Sequence, residues 1–426
     1  MLAGRTLGQR WMVGADPDFL TGKAIEGRAG ARPRAVAMIA LLLPLGITLA
    51  QCGKAPSAGM MANLQDAGDT FDDRFPAPQF KDRFPTANES LVQHRPVEAR
   101  SSAAAPEPAS VRIASLAPQA IYERAPIQQE LTTLVSLKSS AFPYLGNNPR
   151  TDTPFLNVAN DGRRGHRGPG GRVYWQDETY NDNRTLIHIP KHFDARKPGV
   201  IVVFFHGNGA TLERDVRDRQ LVPQQISESG VNAVLLAPQL AVDAADSSAG
   251  KFWQPGGLKR FMAESAERLA QLYGDPASAK AFASMPVVIV GYSGGYVPAA
   301  WSLQAGGLGG RVRGVFLLDA VYGELDKFAS WVANNRSAFF VSSYTHYTKR
   351  RDKELMRMLR DRGISVAEDM DRPLQPGSVV FVETPEGVTH RDYVTQAWTE
   401  LPVKEVLVKM AESPALIRVA AGAPAR

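Results

Sequence analysis

The sequence predicts an α/β domain over residues 142–426, with a mostly parallel central sheet and helices on both faces. Three observations carry that expectation. Strand-like runs alternate with helical patterns from about residue 170 onward. Several of the runs are continuously apolar and rich in Val, Ile and Phe, as strands covered on both faces are. A glycine-flanked serine stands where one such run gives way to a helical stretch.

Taken in order, the strand-like runs are RVYW (172–175), TLIHI (185–189), GVIVVFF (199–205) and NAVLLA (232–237). A helical stretch at 257–273 precedes PVVIVGY (286–292), after which come GVFLLD (314–319), AFFVSS (338–343) and SVVFVE (378–383). The Arg/Gly-rich stretch 162–172 reads as a solvated loop before the first strand, with no function assigned to it. Residues 52–141 are rich in Pro, Ala and Ser and poor in apolar periodicity, so they read as a largely disordered linker. Within that linker Ile127, Leu131, Leu134 and Leu137 lie near helical spacing and predict a helix at 127–138 that packs onto the domain. A near-repeat, Asp73-Arg74-Phe75-Pro76 and Asp82-Arg83-Phe84-Pro85, reads as chance in a biased region.

Residues 1–51 read as an export signal. Residues 35–50 form an uncharged apolar run directly after Arg34, shorter than the roughly 18–20 residues of a spanning helix. Leu49-Ala50-Gln51-Cys52 resembles a bacterial lipobox, which makes Cys52 the lipidation candidate and a membrane tether; Gln51 departs from the small residue expected there. Ordinary cleavage after Ala50 is the competing reading. The expected location is therefore the periplasm, as a soluble or lipid-anchored protein, or the exterior. Cys52 is the chain's one cysteine, which excludes an intramolecular disulfide and a cysteine-rich zinc module. The net charge of +6 is half accounted for by the leader, which holds six basic and three acidic residues, so nucleic acid is not an expected partner.

The chemistry gathers around Gly291-Tyr292-Ser293-Gly294-Gly295. A strand–turn–helix with glycine on both sides permits a strained turn that projects the serine hydroxyl outward as a nucleophile. The hydroxyl needs a base. Of seven histidines only His346 and His390 follow the serine, and His390 lies in the loop after the last strong strand, where residues at the carboxyl ends of parallel strands converge. His346 comes one strand too early, so His390 is the expected base. Asp319, at the end of GVFLLD, is the first choice for the acid that orients the imidazole, with Asp326 and Glu383 as alternatives. Phe205-His206-Gly207-Asn208-Gly209 follows an early strand and offers backbone amides near Gly207 and Asn208 for an oxyanion, with a second amide from Gly294. No Lys-Ser/Thr follows those glycines, which disfavours a phosphate loop. Phe252 and Trp253 sit between strands, where core and pocket border are both open readings.

LIHIPKHFDARKPGVIVVFFHGNG, VVIVGYSGG, LLDA and THRDY, in that order, resemble the α/β-hydrolase superfamily, in particular secreted esterases and depolymerases. The resemblance covers a little over half the chain. It implies an eight-stranded, mostly parallel sheet and acyl-group hydrolysis by Ser293, Asp319 and His390, with the acid one strand earlier than usual. The expected function is cleavage of a carboxylic ester, in a small-molecule or polymeric acyl substrate, through an acyl-enzyme. The sequence has no metal-ligand spacing and no dinucleotide fingerprint, so neither a metal nor a cofactor is expected. Two other functions share these motifs: an amidase or peptidase acting on the cell envelope, and a non-catalytic binding protein on the hydrolase fold.

Overall fold

The computed structural model describes residues 129–168 and 170–418. The leader, Cys52 and the repeated tetrapeptide lie outside the described residues, as does most of the expected linker.

Eight strands form the central sheet: β1 (Leu131–Ser136), β2 (Arg184–Ile189), β3 (Val200–Phe205), β4 (Ala233–Pro238), β5 (Val287–Tyr292), β6 (Val312–Leu318), β7 (Phe339–Tyr344) and β8 (Val379–Glu383). Their spatial order is β1-β2-β4-β3-β5-β6-β7-β8. β2 pairs antiparallel with β1 and β4, and every pairing from β4 to β8 is parallel. This is the α/β-hydrolase fold.

The continuous apolar runs have a direct cause in this architecture. Along β3, Ile201, Val203 and Phe205 enter one core, and Val200, Val202 and Phe204 enter the other. A strand with a core on each face has no side that can carry polar residues. Helices α2 (Gly257–Tyr273), α3 (Tyr296–Ala305), α4 (Leu325–Asn334) and α5 (Lys349–Arg360) supply the first core. Helices α1 (Val222–Glu228) and α6 (Pro402–Ala411) supply the second.

Two expectations are corrected. Residues 131–136 are not helical: they form the edge strand β1, in register from Leu131 opposite Ile189 to Ser136 opposite Arg184. The leucine spacing fits a helix, but the open edge of β2 offers a row of backbone partners, and Leu131, Val135 and Leu137 share one strand face that packs on the first core. Folded structure thus extends into the segment 52–141 assigned to the linker. The Arg/Gly-rich stretch is not a loop either. Arg163–Arg167 is the middle strand of a small antiparallel sheet with Val158–Asn160 and Val173–Trp175, so RVYW belongs to this sheet and not to the central one. His166 anchors it: the buried ring stacks on Phe155 at 4.4 Å, and its Nδ1–H donates to the Phe155 carbonyl at 2.7 Å.

Candidate active site

β5 ends at Tyr292 and α3 begins at Tyr296, and the turn between them sets Ser293 at φ 50°. A non-glycine residue in this left-handed region is strained, and the strain lifts the side chain out of the strand-to-helix path. The turn is hemmed in from the β3 side. A Cβ on Gly207 would lie 2.9 Å from the Ser293 Cβ and 3.0 Å from the Tyr292 ring, so the two loops meet only because residue 207 has no side chain.

His390 lies in a short helical turn after β8 and reaches both partners. Its Nε2 is 2.8 Å from Ser293 Oγ and its Nδ1 is 2.6 Å from Asp319 Oδ2. An ionised carboxylate can only accept, so Nδ1 carries the proton and Nε2 accepts from the serine hydroxyl. Tyr292 steadies this histidine twice: the rings stack at 5.2 Å, and the phenol donates to the His390 carbonyl at 2.6 Å. Burial pushes the Tyr292 phenol up to about 12, so it stays a donor across the neutral range.

Asp319 follows β6, fully buried and at φ 44°. The turn after β7 holds it. Thr345 donates its N–H to Oδ1 at 2.9 Å and sets its hydroxyl 3.0 and 2.9 Å from the two oxygens, and the Thr348 hydroxyl donates to Oδ1 at 2.9 Å. Burial pushes the carboxyl up, but the bonds from His390, Thr345 and Thr348 outweigh it and hold Asp319 below the usual carboxylate range.

The His-Gly-Asn-Gly turn is built around His206. Its Nδ1–H donates to the Gly207 carbonyl at 2.8 Å, while Nε2 accepts from the Leu240 N–H at 2.9 Å and from Gln239 Nε2 at 3.0 Å. Burial pushes this imidazole down to about 4, against the opposing pull of the Gly207 bond, so it is neutral at pH 7. With the Gly207 carbonyl taken by His206, the Asn208 N–H of the same trans peptide points the opposite way. Asn208 accepts from Ser247 Oγ at 3.1 Å, and a Cβ on Gly294 would fall 2.1 Å from Asn208 Oδ1. The Asn208 side chain therefore lies directly against the Gly294 backbone, next to Ser293.

The structure brings Ser293, Asp319, His390, Gly207, Asn208 and Gly294 together. It separates the alternatives. Asp326 is exposed and lies 3.6 Å from Lys327, while Glu383 bonds Lys349 at 2.6 Å. His346 is exposed and packs, tilted, against Tyr347. Phe252 and Trp253 are core residues, the latter packed on Tyr144 and Phe155. Sequence reasoning missed Thr345, Thr348, Tyr292 and Ser247. Tyr292 sits inside the glycine-flanked serine motif, but nothing in the sequence marks the threonines as partners of a carboxylate 26 and 29 residues earlier.

No family model matches the chain, and no curated protein matches it. Among solved structures the chain is similar to a ferulic acid esterase, with TM-score 0.39 and 10% identity, covering 66% of this chain and 98% of that one. It is also similar to an S-formylglutathione hydrolase from Agrobacterium tumefaciens, with TM-score 0.33 and 10% identity over 58% of this chain and 94% of that one. A feruloyl esterase module from Clostridium thermocellum gives TM-score 0.35 and 13% identity over 64% and 96%.

Proposed function

We propose that the chain is a serine hydrolase that cleaves carboxylic esters. The observation that carries this reading is the continuous chain from Ser293 Oγ through both nitrogens of His390 to Asp319, at 2.8 and 2.6 Å. His390 Nε2 takes the Ser293 proton as Oγ attacks the ester carbonyl, and the proton then passes to the departing alkoxide. Asp319 holds the imidazole in the required tautomer and stabilises it while charged. The Asn208 and Gly294 amides receive the negative charge that develops on the carbonyl oxygen. Water, activated by the same His390, then cleaves the acyl-enzyme and restores Ser293.

The protein acts in the cell envelope or outside the cell, a reading supported by the apolar run 35–50 and by Cys52 as its tether. No helix among the described residues is long and apolar enough to cross a membrane. Globomycin treatment that left the size of the protein unchanged would overturn the lipid-anchor reading.

Hydrolysis of short p-nitrophenyl esters, with matched anilides alongside, tests the reaction. The wild type turns over the esters, and Ser293→Ala lowers the rate by about four orders of magnitude or more. Full turnover by Ser293→Ala overturns the reading, and preference for the anilides moves it to an amidase.

A further inference from the structure

Behind Asp319 lies a second carboxyl that the mechanism above does not use. Asp352, in the first turn of α5, is fully buried. Its Oδ1 accepts from Ser342 Oγ at 2.6 Å, and its Oδ2 has no hydrogen-bond partner among the described residues. Its N–H donates to the Thr348 carbonyl at 2.9 Å. Thr348 is thus common to both acids: its hydroxyl donates to Asp319 Oδ1, and its carbonyl accepts from the Asp352 N–H. A hydroxyl has one proton and serves one carboxylate at a time.

The surroundings leave Asp352 poorly suited to a charge. Burial pushes it up to about 8, against Ser342 and Thr348; the Asp319 charge adds to the rise and Lys353 opposes it. Lys353 is itself drawn to Glu368 at 3.1 Å, with its Nζ over the Tyr344 ring. The phenols of Tyr344 on β7 and Tyr393 in the loop after β8 are both pushed up by burial and stay neutral. Glu383 on β8 is paired with Lys349, and on α4 Lys327 is paired with Glu324 and lies beside Asp326.

We propose that Asp352 is a positioning residue for the Asp319–His390 pair and serves in its neutral, protonated form. Neutral, it leaves the Thr348 proton to Asp319 and adds no second negative charge. Ionised, it competes for that proton and loosens the turn at 345–348 that grips Asp319. This inference rests on the serine hydrolase reading, because Asp319 governs rate only if His390 activates Ser293.

The test is the rate of covalent labelling of Ser293 by a fluorophosphonate between pH 6 and pH 9.5, on the full chain, as wild type, Asp352→Asn and Ser342→Ala. The wild-type rate falls roughly tenfold between pH 7 and pH 9 as Asp352 ionises. Asp352→Asn shows no such fall. In Ser342→Ala the fall moves to higher pH, because a donor to the charged form is gone. An alkaline fall retained in Asp352→Asn, or absent from the wild type, overturns the proposal. If Asp352→Asn does not fold, an unshifted fall in Ser342→Ala overturns it. Absence of wild-type labelling at every pH instead defeats the serine hydrolase reading itself.

Discussion

Ser293 and Asp319 stand at the carboxyl ends of adjacent parallel strands in the same left-handed backbone conformation, φ 50° and 44°. Each turns its side chain out of the sheet where its strand stops, and His390 closes the gap between them. Two neighbouring residues are thus held in a conformation that side chains rarely adopt, which the surrounding fold must enforce.

Asn tolerates that conformation, so Asp319→Asn should fold. It cannot hold the proton on Nδ1 of His390 as a carboxylate does. Ester turnover is expected to fall about a thousandfold or more, and the thermal midpoint to drop as the donors from Thr345 and Thr348 lose their charged acceptor. Kinetics on p-nitrophenyl acetate and a melting curve check it, and near-normal turnover would remove Asp319 from the mechanism.

Thr345→Val keeps shape and removes a hydroxyl that touches both oxygens of Asp319. A hydrogen bond to a charged group contributes about 1.5–3 kcal/mol, and a loss of that order should appear as a lower urea midpoint with an unchanged slope. The stability from the lowered Asp319 pKa is present above its unfolded value and lost as pH falls through the folded one. In Thr345→Val the folded value moves closer to the unfolded one, so that loss is smaller and is complete at higher pH.

Gly207→Ala places a methyl group against the Ser293 Cβ and the Tyr292 ring. The expected result is a fall in kcat of about a hundredfold, because Ser293 and its neighbouring amides are displaced together. Gly310→Ala, with open space around the new methyl, is the matched control and leaves kcat within twofold or so of wild type.

His206 and His188 are both buried, and burial pushes each down to about 4. A base whose folded pKa lies below its unfolded value of 6.5 contributes stability that is present above pH 6.5 and lost as pH falls toward 4. For His206 alone the full effect is about 3 kcal/mol. Urea midpoints measured at pH 7, 6, 5 and 4 should fall steadily. His206→Asn, which keeps a donor for the Gly207 carbonyl, should flatten part of that decline.

The strands most accurately legible in the sequence were those with a core on both faces. GVIVVFF and PVVIVGY are short and rich in β-branched residues, and an unbroken apolar run of that kind has nowhere to be exposed. Edge elements were misread for the converse reason. β1 carries leucines at a spacing that serves a helix or a strand, and the open edge of β2 decided between them. Arg163–Arg167 has almost no apolar pattern, and its strand is set by pairing on both sides and by the stacking of His166 on Phe155.

By itself the sequence determined the alternation that builds the sheet, the glycine-flanked serine, and the histidine and aspartate that follow strands later in the chain. Those features are local, and local sterics and periodicity suffice to express them. Only the tertiary structure decided that Asp319, rather than Asp326 or Glu383, meets His390, and that Thr345 and Thr348 hold its charge. It alone placed the buried, half-partnered Asp352 behind them. A carboxylate's role depends on which donors and charges share its low-dielectric surroundings, and those arrive from strands and turns far away in the chain.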